Sequence, residues 1–186
     1  MNLLTIDDFD FKGKTVFLRV DINCPIDPET LEISGTKRIE EVIETINSLN
    51  DAKIVIASHQ GRVGNKDYTG MENHAKVLEK LLGRNVTYVS DVMGASAQSE
   101  IKNLKDGEII LLDNLRLCAE ENYEFSPSNA AKTIMVQRLS KMLDFCVLDS
   151  FPSAHRSHPS IVGFHMYSHL VQDALWKKKL KNLMRS

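Results

Sequence analysis

The chain has 186 residues, of which 42% are hydrophobic and 26% charged, and a formal net charge of −2. That length suffices for one domain with a full core. The slightly acidic balance excludes a general nucleic-acid surface, which needs a basic excess.

Regular alternation organises the sequence. The first residues, MNLLTIDDFDFKGK, are acidic and lack a signal-peptide pattern. An apolar run at 15–20 reads as a strand covered on both faces. Ile39, Val42, Ile43, Ile46 and Leu49 then keep helical spacing across 37–50. A second strand is predicted at 53–58. The helix predicted over 71–82 has Thr69 and Glu72 as a capping box and Gly83 as its stop. A strand at 85–90, a weaker helix at 95–104 and a strand at 108–113 follow. Ser126 as cap and Pro127 at the first helical position open a helix that runs to about residue 143. A fifth strand is predicted at 144–149. The repeats imply an α/β fold with a doubly wound parallel sheet in three layers. The tail, 165–186, reads as a basic helix with Val171, Ala174, Leu175, Leu180 and Leu183 apolar.

No run approaches transmembrane length, so the cytoplasm is the expected location, with neither membrane nor nucleic acid as partner. The cysteines Cys24, Cys118 and Cys146 have no CxxC spacing, and no disulfide framework or zinc site is implied. Cys146 lies inside an apolar run and reads as a buried thiol.

Five of the eight arginines stand at strand ends or at a helix start: Arg19, Arg38, Arg62, Arg116 and Arg156. Ligands of open α/β sheets bind outside the carboxyl ends of the strands. Guanidinium forks match carboxylate and phosphate geometry. The expectation is a crevice for a small, multiply negative ligand. Four segments contribute. Arg19, Asp21 and Asn23 offer a charge, an acceptor and an amide within five positions. In Ser58-His59-Gln60-Gly61-Arg62, Gly61 permits close approach, and His59 and Arg62 can donate to an anion. Asp113-Asn114-Leu115-Arg116 is followed by Glu120 and Glu121. The fourth segment, 149–158, ends in His155-Arg156-Ser157-His158, where the arginine between two histidines disfavours a metal cation. Each segment alone reads equally as a solvated loop; four of them after strands make an anion site the better account. Neither GxxxxGK[ST] nor GxGxxG occurs, so nucleotide binding is not expected in this chain. An aspartate after the first strand also suggests a haloacid-dehalogenase-like phosphatase, but Asn23 breaks the DxDxT pattern.

RVDINCP, SHQGR, LLDNLR and DSFPSAHRSHPS, in this order and spacing, resemble the N-terminal half of phosphoglycerate kinase, its archaeal members most. The resemblance covers about residues 18 to 164. It implies a Rossmann-like domain of about six strands that binds 3-phosphoglycerate. Asp21 and Asn23 would hold the hydroxyl and carboxyl end. Arg38 would sit nearest the carboxylate that receives the phosphoryl group and act as the catalytic residue. Arg62, Arg116 and Arg156 would grip the 3-phosphate with His59 beside them, and Arg19, His155 and His158 would complete the basic patch. The implied reaction is ATP-dependent phosphoryl transfer giving 1,3-bisphosphoglycerate, and its reverse, in glycolysis and gluconeogenesis. Mg-ATP and Mg-ADP would be held by a nucleotide-binding C-terminal domain whose glycine-rich loops are not in this sequence, and the chain alone is expected to be inactive. The division implied is a substrate-binding domain over 1–168 and, over 169–186, a helix at the position of the interdomain connector. The alternative is a stand-alone, non-catalytic phosphoglycerate- or anion-binding module. Val63, Ser150, Pro152 and Cys24 depart from the family's usual residues, beside the ligand-facing positions.

Overall fold

In a computed structural model, residues 6–150, 155–167 and 169–172 are described. Six parallel strands form one sheet: β1 (Thr15–Val20), β2 (Lys53–Ala57), β3 (Thr87–Val89), β4 (Ile109–Leu112), β5 (Phe145–Asp149) and β6 (His169–Gln172). Their order is β3-β4-β2-β1-β5-β6. The chain winds outward on one side of β1 and then crosses to the other. That reversal leaves a crevice at the carboxyl ends of β1, β2, β4 and β5.

Helices cover both faces. The strand period of two sends Val16, Leu18 and Val20 into one core with Ile39, Ile46, Met71 and Leu78. Phe17 points to the opposite core with Ala97, Ile101, Met135, Val136, Leu139 and Phe164, and its ring lies 4.7 Å from that of Phe164. Arg19 shares a strand face with Phe17, a placement that decides its surroundings.

The expected helix over 37–50 is split into α1 (Lys37–Glu40) and α2 (Ile43–Ser48), because the turn between them tightens to a bond from Val42 N to Ile39 O, 3.2 Å. Helix α3 (Glu72–Leu82) ends at Gly83 with φ 63°, as its sequence requires. Its start differs from the capping box: Thr69 and Glu72 do not close it. Asp113 Oδ1 instead accepts from Met71 N at 3.0 Å, so a strand-end carboxylate caps the helix from outside. Helix α4 (Ala95–Asn103) forms as expected.

The long helix expected from Pro127 is broken into α5 (Pro127–Ala130) and α6 (Ile134–Leu139), followed by a 3-10 turn at Ser140–Met142. Thr133 turns extended and donates to Ala130 O at 2.7 Å. Glu120 then accepts from Ile134 N at 2.9 Å and Met135 N at 3.2 Å, which starts α6 afresh. Helix α7 (Pro159–Val162) follows the fourth segment.

The tail reading requires a correction. Residues 169–172 are not the start of a helix; they are β6, paired in register with β5 from Phe145↔His169 to Leu148↔Gln172. Backbone hydrogen bonds to the open edge of β5 outweigh the helical spacing of the side chains. Residues 173–186 and 151–154, including Pro152, lie outside the described residues. Among the described residues no helix is long and apolar enough to cross a membrane.

Candidate functional site

The loops at the carboxyl ends of the strands are tied together by buried amides and hydroxyls. Ser58 Oγ accepts from Ile22 N at 3.2 Å, and Asn23 Oδ1 accepts from Gly61 N at 3.1 Å. The Gln60 side chain accepts from Cys24 N and donates to Cys24 O, each at 3.0 Å. Asn114 Nδ2 donates to Gln60 O at 2.7 Å and Thr69 O at 2.8 Å, while its Oδ1 accepts from Gln60 N at 3.2 Å and Arg116 N at 3.1 Å. Gly61 is required here: its φ is 63°, and a Cβ would stand 2.5 Å from Asp67 O. These bonds fix where His59, Arg62 and Arg116 leave the backbone.

Arg38 Nη1 donates to Asp21 Oδ1 at 2.8 Å; the arginine side chain is 44% exposed and the aspartate 8%. Asp21 Oδ1 also accepts from Asn23 N at 3.2 Å. The second oxygen of Asp21 and the amide NH2 of Asn23 have no hydrogen-bond partner among the described residues.

Arg116 donates to Gly61 O. Burial lowers its pKa, and so do the neighbouring charges of Arg62 and Arg156. The Arg116 guanidinium therefore feels the charges of both Arg62 and Arg156. Arg62 and Arg156 form no ion pair among the described residues, whereas an arginine triad of this kind gains stability from an anion placed between its members. His59 is half-buried. Burial, with Arg19, Arg116, His158 and Arg156, pushes its pKa down to about 2. His158, 7% exposed, is lowered first by burial and then by Arg156, Arg19 and Arg116. His155 is exposed.

Arg19 differs from the expectation of a ring of arginines facing one crevice. It is 1% exposed and points to the face of the sheet shared with Phe17. Its Nε donates to Ser160 Oγ at 3.0 Å, Nη1 to Val20 O, and Nη2 to His59 Nδ1 at 3.0 Å. Glu121, 1% exposed, accepts from Ser160 N at 3.0 Å and from Ser160 Oγ. Glu121, Ser160, Gln60 and Asn114 were not among the expected site residues. Gln60, Asn114 and Ser160 lie inside the quoted motifs, yet their partners are distant in the chain and gave no local signal. No group of three or more His, Cys, Asp or Glu is placed to hold a metal among the described residues.

Stability is expected to fall in acid. His59 at about 2 and His74, pushed down to about 4 chiefly by burial, stay neutral in the fold, while an unfolded histidine protonates near its ordinary 6.5. The unfolded state binds more protons below that value, so the stability present above pH ~6.5 is lost as pH drops toward the folded values. The slope is up to about 1.4 kcal/mol per pH unit for each histidine. Urea midpoints at pH 7 and pH 5 measure it; a His59→Gln, His74→Gln chain as steep as the parent would locate the effect elsewhere.

Together the fold and the site define a Rossmann-like α/β domain with a cationic crevice at its strand ends. The family model described as Phosphoglycerate kinase matches residues 6–186. Phosphoglycerate kinase 2 of Methanosarcina acetivorans is 46% identical over 163 residues, 88% of this chain and 39% of that protein. The phosphoglycerate kinase of Methanocorpusculum labreanum is 42% identical over 185 residues, 100% of this chain and 46% of its own. The crystal structure of phosphoglycerate kinase from Pyrococcus horikoshii OT3 superposes with a TM-score of 0.94 at 42% identity, covering 98% of this chain and 45% of that one. This chain belongs to the phosphoglycerate kinase family. It spans about half the length of the curated relatives it matches.

Proposed function

We propose that the chain is the acceptor-binding half of a phosphoglycerate kinase and that its crevice binds 3-phosphoglycerate. The observation that carries this is Arg116, held on Gly61 O beside Arg62: after burial, the charges of Arg62 and Arg156 lower its pKa, and neither of those two forms an ion pair among the described residues. In this reading the three guanidinium groups and His59 hold the phosphate. Asp21 accepts from the hydroxyl and Asn23 donates to the carboxyl end. Arg38, half-exposed on Asp21, reaches the carboxylate that receives the phosphoryl group. Arg19 supports this patch from beneath, with His158 beside it and His155 at the rim. Phosphoryl transfer from ATP to a carboxylate needs both groups held in line and the developing charge neutralised, more than it needs a covalent residue. Mg-ATP and Mg-ADP would be supplied by a second, nucleotide-binding domain, in the cytoplasm.

Calorimetry with 3-phosphoglycerate tests the reading. Binding is expected and should weaken in the presence of other polyanions. Arg62→Lys or Arg156→Lys should lose about 1.5–3 kcal/mol, since a planar fork is replaced by a point charge. No heat and no competition at millimolar ligand would sink the proposal.

A further inference from the structure

The bonds beneath the crevice diverge from Arg19. Arginine has only donors. Arg19 Nη2 lies 3.0 Å from His59 Nδ1, so that nitrogen must be the acceptor. A neutral imidazole that accepts at Nδ1 carries its proton on Nε2. Nε2 of His59 has no partner among the described residues, and Arg116, His158 and Arg156 surround the ring electrostatically. The ring therefore offers one N–H to whatever enters the crevice, and no lone pair.

What holds Arg19 in this pose lies further in. Its Nε donates to Ser160 Oγ, whose own proton goes to Glu121 Oε1. Glu121 Oε2 takes the Ser160 backbone N–H at 3.0 Å. The order is Glu121, Ser160 Oγ, Arg19, His59 Nδ1, and each member but the last is no more than 1% exposed. Glu121 also offsets the buried charge of Arg19, so the cationic crevice keeps Arg62, Arg116 and Arg156 for its ligand.

We infer that Glu121, acting through Ser160 and Arg19, is a positioning residue that fixes His59 as the neutral tautomer protonated at Nε2, a hydrogen-bond donor to the bound anion. The donor role rests on the proposed phosphoglycerate reading; the tautomer does not. A neutral donor suits a site already rich in guanidinium charge, because it contributes a directed bond without adding a fourth like charge. The other neutral tautomer, by contrast, would turn a lone pair at Nε2 toward a phosphate oxygen and repel it.

Nitrogen-15 spectra of the 186-residue chain at pH 7, without ligand, test the tautomer directly. His59 should show a protonated Nε2 and a bare Nδ1, unchanged down to pH 5. Ser160→Ala removes a single oxygen and leaves the backbone bond to Glu121. It should release Arg19, bring a population protonated at Nδ1 or an imidazolium that titrates near neutrality, and weaken 3-phosphoglycerate binding on the order of tenfold. Should that variant fold poorly, Glu121→Gln, which keeps the acceptor and removes the charge, serves as the second test and is expected to shift the His59 signals in the same direction. An imidazolium or an Nδ1-protonated ring in the parent chain overturns the inference, as do His59 signals untouched by both substitutions. The expected tautomer with no 3-phosphoglycerate binding in the parent overturns the ligand reading and the donor role while leaving the tautomer intact.

Discussion

Arg38→Ala in the complete two-domain protein is expected to lower kcat by about 10²–10³-fold while changing the apparent Michaelis constant for 3-phosphoglycerate far less. The Arg38 side chain is 44% exposed and, among the described residues, bonds to Asp21 Oδ1 at 2.8 Å. That geometry suits a side chain that leaves its resting partner when charge develops nearby. An interaction made mainly in the transition state costs turnover rather than affinity when it is lost. Arg38→Lys should recover only part of the loss, since a lysine cannot bridge Asp21 and a phosphoryl oxygen with a planar fork. Steady-state kinetics with both substrates varied give the split. A variant that raised only the Michaelis constant would show that Arg38 merely holds the acceptor.

Asp21 enters the same experiment. Its removal frees Arg38, so Asp21→Ala and Arg38→Ala should not add, as expected of residues in contact. If the two losses did add, the ion pair at 2.8 Å would have no part in aiming Arg38.

The sheet and its layers were legible because buried parallel strands are short apolar runs and their covering helices are amphipathic. The predicted strand at 15–20 coincides with β1, and the others differ by one to three residues. What the runs could not tell is which face each residue takes. All six positions of β1 are buried, so nothing in the sequence marks Arg19 as lying on the Phe17 side rather than in the crevice. The helix breaks were hidden for a related reason. Glu120 acts across 14 and 15 positions of chain, and Asp113 caps α3 from 42 residues away; local periodicity does not register partners at that distance. The same holds for β6, where helical spacing was local and the pairing with β5 was not. At the site, Asp21, Asn23, His59, Arg62, Arg116 and Arg156 stand inside motifs and were legible as candidates. The contacts beneath them were not: Ser160 and Arg19 are 141 residues apart, and Glu121 and Ser160 are 39 apart.

The largest stability effect is expected at Glu121. Burial raises its pKa, and Arg19, with two donors from Ser160, opposes that shift. Arg19 in turn is lowered by burial and raised first by Glu121. Each is the main compensation of the other, with both residues only 1% exposed. Glu121→Ala leaves a guanidinium that is 1% exposed and frees the hydroxyl and N–H of Ser160. Breaking a buried pair by removing one partner costs about 3–5 kcal/mol. A domain with a total stability of ~5–15 kcal/mol would lose a large part of it. Glu121→Gln should cost less, because the acceptor to Ser160 N survives. The double change Arg19→Met with Glu121→Leu should cost less than the sum of the single ones, since neither charge is left alone. Denaturant midpoints for the parent, Glu121→Ala, Glu121→Gln, the double change and its two single components decide it. A loss below about 1 kcal/mol for Glu121→Ala would mean that the carboxyl is already neutral in the fold, and that Arg19 is compensated by Asp21 alone, the next of the carboxylates that raise its pKa.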